Sequence, residues 1–141
     1  MLKHIPTNLS PDLVKALMEM GHGDEIVIAD GNFPSASHAR QLIRLDGQSI
    51  PTVLASILTI FPLDTFVENP IAYMATPEGE PEPAIWESYT EIVLESDNES
   101  TTVEKVSRFE FYERAKKAYA IIATSETELY ANVILKKGVI G

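Results

Sequence analysis

The fold is indicated most directly by one stretch, Gly21-His22-Gly23-Asp24-Glu25-Ile26-Val27-Ile28-Ala29-Asp30. Its central run, 25–29, is apolar without alternation, which is typical of a strand that helices cover on both faces. Glycines precede this run and a carboxylate follows it, so the stretch joins the end of a helix to a buried strand. It therefore predicts an α/β fold.

A helix is predicted directly before this stretch. Ser10-Pro11-Asp12 combines a side-chain cap, a proline at the first helical position and an acid in the first turn. Lys15 and Glu19 form an i,i+4 pair on this helix, and Gly21 is expected to end it. The apolar stripe that faces the core is expected to consist of Leu13, Val14, Leu17 and Met18.

Helices and strands continue to alternate after residue 30. Strands are predicted at 42–45, at 65–76 with an interruption at Asn69-Pro70, and at 101–106, 119–124 and 130–135. Helices are predicted at 49–61, around 85–93 and at 107–117, with a surface loop at 77–83 and a polar turn at 125–128. This alternation predicts a single α/β domain over residues 1–141, in which helices cover a mixed sheet.

Composition excludes several functions. The 141 residues include no cysteine and carry a formal net charge of −10. The chain therefore has no disulfides and no thiolate ligands or nucleophiles, and it lacks the basic footprint that nucleic acids require. No apolar run approaches the roughly 20 residues that span a bilayer, and the N-terminus lacks a signal-peptide pattern. We expect a cytoplasmic protein with a small, weakly charged ligand and with no nucleic-acid or membrane partner.

His22 is the first candidate for chemistry. The unperturbed pKa of histidine, about 6.5, lies near neutral pH, so the side chain both gives and takes a proton there. Its position at the end of an element, close to Asp24 and Asp30, is suited to acid–base catalysis. The alternative is that His22 only caps the preceding helix, where a cationic ring suits the negative end of the helix dipole. Both interpretations remain open from this segment alone.

Asp30 and Arg108 are further candidates. Asp30 lies at the carboxyl end of a strand, where ligands of open α/β sheets collect; alternatively it is an Asx-turn carboxylate bonded to its own loop. Arg108 lies in the first turn of a helix, where a cation opposes the helix dipole by some 0.3–1 kcal/mol. Such a broken local rule indicates function or strain, unless Arg108 merely contacts a surface carboxylate such as Glu104 or Glu110.

Tyr130 and Asn132 stand two residues apart in a predicted strand and are expected to share a face. A phenol and a carboxamide on one face are suited to binding sugar hydroxyls, although ordinary strand preferences also account for both. His4, His22 and His38 are too dispersed for a recognisable metal motif, so we expect no metal.

Three segments together resemble the fucose mutarotase and ribose pyranase (RbsD/FucU) family. They are Met20-Gly21-His22-Gly23-Asp24-Glu25-Ile26 with Asp30, Arg108-Phe109-Glu110-Phe111-Tyr112-Glu113-Arg114-Ala115, and Tyr130-Ala131-Asn132-Val133-Ile134-Leu135-Lys136-Lys137-Gly138. The resemblance extends essentially from end to end, and the second block is similar to the fucose mutarotase branch.

The resemblance implies a function. Members interconvert the anomers of free sugars without cofactor or metal, on a three-layer α/β/α fold with a central mixed sheet. By position, His22 is expected to be the proton donor, and the substrate-binding residues are expected to be Asp30, Arg108, Tyr130, Ala131 and Asn132. The resemblance also implies a homo-oligomer, a ring that is often a decamer, with sites near subunit contacts.

Mutarotation needs only proton transfers. The ring oxygen of the sugar gains a proton while the anomeric hydroxyl loses one, and two positioned groups contribute about 10²–10⁴-fold each. His22 is the expected acid; Asp30, Tyr130 or a water is the base. We expect an isomerase acting on L-fucose. The alternatives are a ribose pyranase, a mutarotase for another sugar, or a non-catalytic sugar-binding module on the same fold.

Overall fold

The computed structural model describes all 141 residues, which form five helices and six strands. The helices are α1 (Pro11–Glu19), α2 (Ser35–His38), α3 (Ile50–Leu58), α4 (Ile85–Glu95) and α5 (Arg108–Lys117). The strands are β1 (Glu25–Ala29), β2 (Leu42–Leu45), β3 (Ile71–Met74), β4 (Val103–Val106), β5 (Ala120–Thr124) and β6 (Val133–Lys136). None of these helices has both the length and the apolar character needed to cross a membrane.

The six strands form one sheet in the order β2-β5-β1-β6-β3-β4. Strand β1 pairs parallel with β5 on one side and antiparallel with β6 on the other. Only β6 runs against the rest, because β3 is antiparallel to it and parallel to β4. The carboxyl ends of five strands and the beginning of β6 therefore meet at one edge of the sheet.

Helices cover both faces of this sheet. Helices α1, α3 and α4 bury a cluster of 27 apolar residues on one face, and α5 covers a smaller cluster of 11 on the other. Residues 26–29 of β1 are buried, and alternate members belong to the two clusters. This arrangement confirms the predicted α/β/α fold with a central mixed sheet.

Most predicted helix starts are confirmed. The hydroxyl of Ser10 accepts from the backbone amide of Leu13 at 3.2 Å, and the hydroxyl of Ser107 accepts from Glu110 at 3.2 Å. Helix α3 begins after Ser49 but is capped differently, because the amide of Ile50 donates to the buried carboxylate of Glu126 at 3.1 Å. Residues 125–128, predicted as a polar turn, therefore also supply the side chain that caps α3.

Three predictions are wrong in detail. Only Ile71–Met74 of the region 65–76 forms a strand, since Asn69-Pro70 precedes the pairing instead of interrupting it. Met18 is exposed, because the buried side of α1 consists of Leu13, Ala16 and Leu17. Strand β6 begins at Val133, so residues 130–132 lie before the strand. The short helix α2 was not predicted.

The packing of Gly138 generates the first testable prediction. A Cβ at this position would lie 2.5 Å from the carbonyl oxygen of Leu63 and 2.9 Å from the Cα of Asp64, so the backbone would have to move. We expect Gly138→Ala to lower the free energy of unfolding by about 1–3 kcal/mol, the usual cost of overpacking, as measured by urea denaturation. Gly21→Ala is the control, because its Cβ would meet only a side chain at 3.7 Å. Equal stabilities of the two variants would contradict this close packing.

Candidate active site

A cleft of about 240 Å³ with a mixed polar and apolar lining lies at the edge where the five parallel strands end. Asp30 follows β1, Met74 ends β3, Arg108 begins the helix after β4, and Tyr130 and Asn132 precede the reversed strand β6. The antiparallel direction of β6 thus brings residues 130–132 to the same edge as Asp30. This is where ligands bind in open α/β sheets. The complete lining is Asp30, Asn32, Phe33, Met74, Arg108, Tyr112, Leu129, Tyr130 and Asn132.

Asp30 is held in this cleft by hydrogen bonds and is only 6% exposed. Its backbone amide donates to the side-chain oxygen of Asn132 at 2.7 Å, and its carboxylate accepts from the amide of Asn32 at 2.9 Å. Burial raises the pKa of Asp30, and the Glu126 carboxylate adds to this, although hydrogen bonds from Asn32, Phe33 and Asn132 oppose it. Asp30 is therefore both an Asx-turn residue and a group of the cleft.

Arg108 has a side-chain partner within the chain, but not a carboxylate. Its Nε donates to the hydroxyl of Tyr112 at 3.2 Å, and its guanidinium lies 5.3 Å from the centroid of that ring. Glu104, the alternative partner named from the sequence, pairs with Arg114 instead. No ion pair is formed by Arg108, so its other donors remain available at the cleft. Tyr112 was missed, although the spacing i,i+4 from Arg108 places it on the same helix face.

Tyr130 and Asn132 share the cleft for a different reason than predicted. Tyr130 has a left-handed backbone with φ of +57° and lies outside β6, so strand alternation does not apply to this pair. Ala131 between them is fully buried, and Asn132 is anchored by the amide of Asp30. A left-handed turn rather than a strand therefore directs both side chains to the cleft.

His22 is not in this cleft. It precedes β1, whereas Asp30 follows it, and five strand residues at about 3.3 Å each separate the two by about 17 Å. The structure therefore brings together Asp30, Arg108, Tyr130 and Asn132 within one chain, but places His22 at the opposite edge of the sheet. The expectation of one site built from all these residues is not met within a single chain.

A carboxylate orients the imidazole of His22. Its Nε2 lies 2.9 Å from Oδ1 of Asp64, which also accepts from the amide of Phe66 at 3.0 Å, and the Phe66 ring packs 5.0 Å from the imidazole centroid. Burial alone would raise the pKa of Asp64, but the Phe66 amide and His22 outweigh it, so the pKa is lowered. Ionised Asp64 accepts a hydrogen bond from Nε2–H. Nδ1 has no partner in the chain and is therefore available to exchange protons.

The helix-cap interpretation of His22 is wrong. The ammonium of Lys137 donates to the carbonyl oxygens of Leu17 at 2.7 Å and Met20 at 2.6 Å, and so satisfies the end of α1. The amide of Gly23, whose φ is +87°, donates to the carbonyl of Lys137 at 2.8 Å. The imidazole of His22 is thereby free to face Asp64, with 41% of its side chain exposed.

Asp64, Lys137 and Glu126 were all missed as residues that shape these two regions. Asp64 is 42 positions from His22, and no spacing pattern links them. Two larger cavities beside α1 are lined mainly by apolar side chains, and His22 borders one of them. No three His, Asp or Glu side chains converge in a metal-binding arrangement.

The cleft and the His22–Asp64 pair define a class of protein that binds a small polyhydroxylated ligand and transfers protons. Donors, acceptors and an aromatic ring suit a small polyhydroxylated ligand, and an oriented imidazole suits proton transfer. Comparison with known proteins is consistent with that class. The chain belongs to the RbsD/FucU family: the model of the RbsD / FucU transport protein family matches residues 3–140. This match confirms the resemblance seen in the sequence.

Two of the similar proteins are named fucose mutarotase, and a third is an RbsD. The fucose mutarotase of Mus musculus is 51% identical, with 97% of this chain and 94% of that protein aligned. A crystal structure of the fucose mutarotase from Streptococcus pneumoniae in complex with L-fucose is similar at a TM-score of 0.95 and 56% identity, covering 99% and 100% of the two chains. RbsD of Bacillus subtilis, complexed with D-ribose, is similar at a TM-score of 0.78 and 27% identity over the whole of both chains.

The raised pKa of Asp30 generates the second prediction. A carboxyl whose pKa is raised by folding loses stability as pH rises through the folded-state value, so ionised Asp30 destabilises the protein at pH 7. We expect Asp30→Asn, whose carbonyl still accepts from Asn32, to gain about 1 kcal/mol at pH 7. The gain should vanish below about pH 4, where wild-type Asp30 is protonated in both states. Thermal unfolding across pH measures this.

The control for that series is Asp97→Asn, which changes an exposed carboxylate. It should show no pH-dependent gain. A stability difference for Asp30→Asn that stays constant from pH 4 to pH 7 would contradict the raised pKa.

Proposed function

We propose that this protein is an L-fucose mutarotase, an isomerase that interconverts the α and β anomers of the free sugar. The observation that supports this most is the cleft of Asp30, Arg108, Tyr130 and Asn132, in a chain 56% identical to an enzyme crystallised with L-fucose. A place in fucose metabolism follows from this substrate. We propose that residues 1–141 form a single sugar mutarotase domain. The cytoplasmic location stays a prediction from the sequence.

The chemistry of the cleft suits a deoxy sugar. Arg108 offers only hydrogen-bond donors and ionised Asp30 only acceptors, while Tyr130 and Asn132 offer both. Sugar hydroxyls, which donate and accept, match this set. Phe33, Met74 and Leu129 add apolar surface to the same cleft, against which the C5 methyl group of L-fucose would pack. Ala131 contributes only backbone groups, because its side chain is buried.

The separation of His22 from Asp30 supports a site shared between two subunits. If the His22 edge of one subunit meets the cleft edge of the next, an acid is added to a cleft that lacks one. Exposed apolar side chains flank both edges: Phe66, 72% exposed, contacts His22, and Leu129 borders the cleft. A contact between two different surfaces repeats from subunit to subunit and forms a ring where the rotation between subunits closes. We therefore propose a ring-shaped homo-oligomer, a decamer as the family resemblance implies.

The proposed mechanism uses His22 as the acid, Asp30 as the base and Asp64 as the counter-ion of His22. Nδ1–H of a protonated His22 donates to the ring oxygen, while Asp30, whose pKa is raised by burial, takes the proton of the anomeric hydroxyl. The bond between the anomeric carbon and the ring oxygen breaks, and an open-chain aldehyde forms. Rotation exposes the other carbonyl face, and both protons return as the ring closes. Ionised Asp64 stabilises the imidazolium before its proton is donated and again after the proton returns.

A ribose pyranase is the second candidate. The similarity to an RbsD structure that contains D-ribose favours it, and pyranose–furanose conversion uses the same ring opening. Ribose has no methyl group to contact Phe33 and Met74, so we favour fucose. A non-catalytic sugar-binding module is a third reading, but such a module has no need of the His22–Asp64 pair.

The third prediction concerns His22. His22→Ala should reduce the accelerated exchange between α- and β-L-fucose by at least about 100-fold, since a positioned acid contributes about 10²–10⁴-fold. Saturation-transfer NMR measures this exchange, and circular dichroism checks the fold. His4→Ala, at an exposed histidine, should leave exchange unchanged. Parallel assays with ribose, galactose and rhamnose should show the fastest exchange for fucose. Unchanged exchange in His22→Ala would refute the assigned role.

The fourth prediction tests the shared site. His22→Ala and Asp30→Ala should each be inactive alone, but co-assembly in equal amounts should restore about one quarter of wild-type exchange. This fraction is the chance that an intact His22 adjoins an intact Asp30 in a random ring. Native mass spectrometry of the mixed assembly gives the subunit number and the mixing. No recovery in mixed rings would show that the two residues do not act across subunits.

A further inference from the structure

Two aromatic side chains of α4 hold the turn that carries Tyr130. The indole Nε1 of Trp86 donates to the carbonyl oxygen of Tyr130 at 2.9 Å, and the hydroxyl of Tyr89 donates to the carbonyl oxygen of Ala131 at 2.7 Å. Both rings are buried, and Tyr89 is not exposed at all. Neither side chain lines the sugar cleft. Trp86 and Tyr89 therefore affect the cleft only through their hydrogen bonds to the backbone of the turn.

This turn needs external support. A bulky residue with φ of +57° is uncommon and persists where surrounding contacts impose the conformation. Three consecutive residues are each anchored by one hydrogen bond: Tyr130 by Trp86, Ala131 by Tyr89, and Asn132 by the amide of Asp30. Two of the three anchors come from α4, which is 35 or more positions away in sequence.

We propose that Trp86 and Tyr89 are positioning residues for sugar binding. They fix the left-handed turn 130–132, and the turn directs the phenol of Tyr130 and the carboxamide of Asn132 at the sugar hydroxyls. The inference rests on the proposed function, because it takes the ligand of the cleft to be a monosaccharide. Helix α4 thereby contributes to the sugar specificity of the cleft without lining it.

The same aromatic cluster contains a matched control. Tyr73 packs 5.1 Å from the ring of Trp86 and 5.6 Å from that of Tyr89, and its buried hydroxyl has no hydrogen-bond partner. Tyr73→Phe and Tyr89→Phe thus remove the same atom from neighbouring rings, but only Tyr89→Phe removes a hydrogen bond to the turn. Trp86→Phe likewise keeps an aromatic ring and removes the indole N–H.

The experiment measures the dissociation constant for L-fucose by calorimetry and the anomer exchange rate by NMR. We expect Trp86→Phe and Tyr89→Phe each to weaken binding about three- to tenfold, the range set by one hydrogen bond. Tyr73→Phe should stay within about twofold of the wild-type value. Equal effects of Tyr73→Phe and Tyr89→Phe would show that ring packing alone matters and would overturn the proposal.

A double-variant cycle separates positioning from general stability. If Trp86 acts by aiming the Tyr130 hydroxyl, then Trp86→Phe should cost much less in a Tyr130→Phe background than in the wild type. Identical fold-changes in both backgrounds would overturn the proposal. In the ligand-free Trp86→Phe variant, the NMR chemical shifts of the backbone amides should change most at residues 130–132. If wild-type protein fails to accelerate fucose exchange, the proposed function fails; if it does accelerate exchange and these shifts stay unchanged, only the positioning role fails.

Discussion

The antiparallel pairing of β6 with β1 is the constraint on which the rest of the structure depends. Every other strand is parallel to β1, so only β6 brings its beginning to the edge where the other strands end. That direction lets the side chain of Asn132 accept from the amide of Asp30, across 102 positions of sequence. It also carries Lys137 back to the opposite edge, where its ammonium satisfies the carbonyl groups at the end of α1. Both regions of chemistry are built on one strand pair.

The two carboxylates beside these regions have pKa values shifted in opposite directions. Burial raises the pKa of Asp30, whereas the amide of Phe66 and the imidazole of His22 lower that of Asp64 despite its burial. A carboxylate with a raised pKa suits a group that accepts and returns a proton, and one with a lowered pKa suits a permanent counter-ion. The two aspartates therefore have different roles because their surroundings differ. The charge of the buried Glu126 carboxylate contributes to the raised pKa of Asp30.

Local sequence rules were correct at several positions where the cause is local. Caps at Ser10 and Ser107 and the unbroken apolar run of β1 follow from neighbouring residues, and the structure confirms them. The rules failed at Tyr130, because alternation along a strand does not describe a left-handed turn held by distant side chains. They failed also at His22, where a cap was plausible by spacing but Lys137, more than 100 positions away, satisfies the helix end.

The sequence by itself determined the α/β class, the identity of the cleft residues Asp30, Arg108, Tyr130 and Asn132, and the family, because apolar periodicity and local motifs are written in consecutive residues. Only the tertiary structure decided that Arg108, Tyr130 and Asn132 join Asp30 at the edge away from His22, since strand direction depends on pairing between remote segments. Only it identified Asp64 as the partner of His22 and α4 as the support of the Tyr130 turn. Hydrogen bonds across long sequence separations leave no periodic trace, and they form only when packing has brought the segments together.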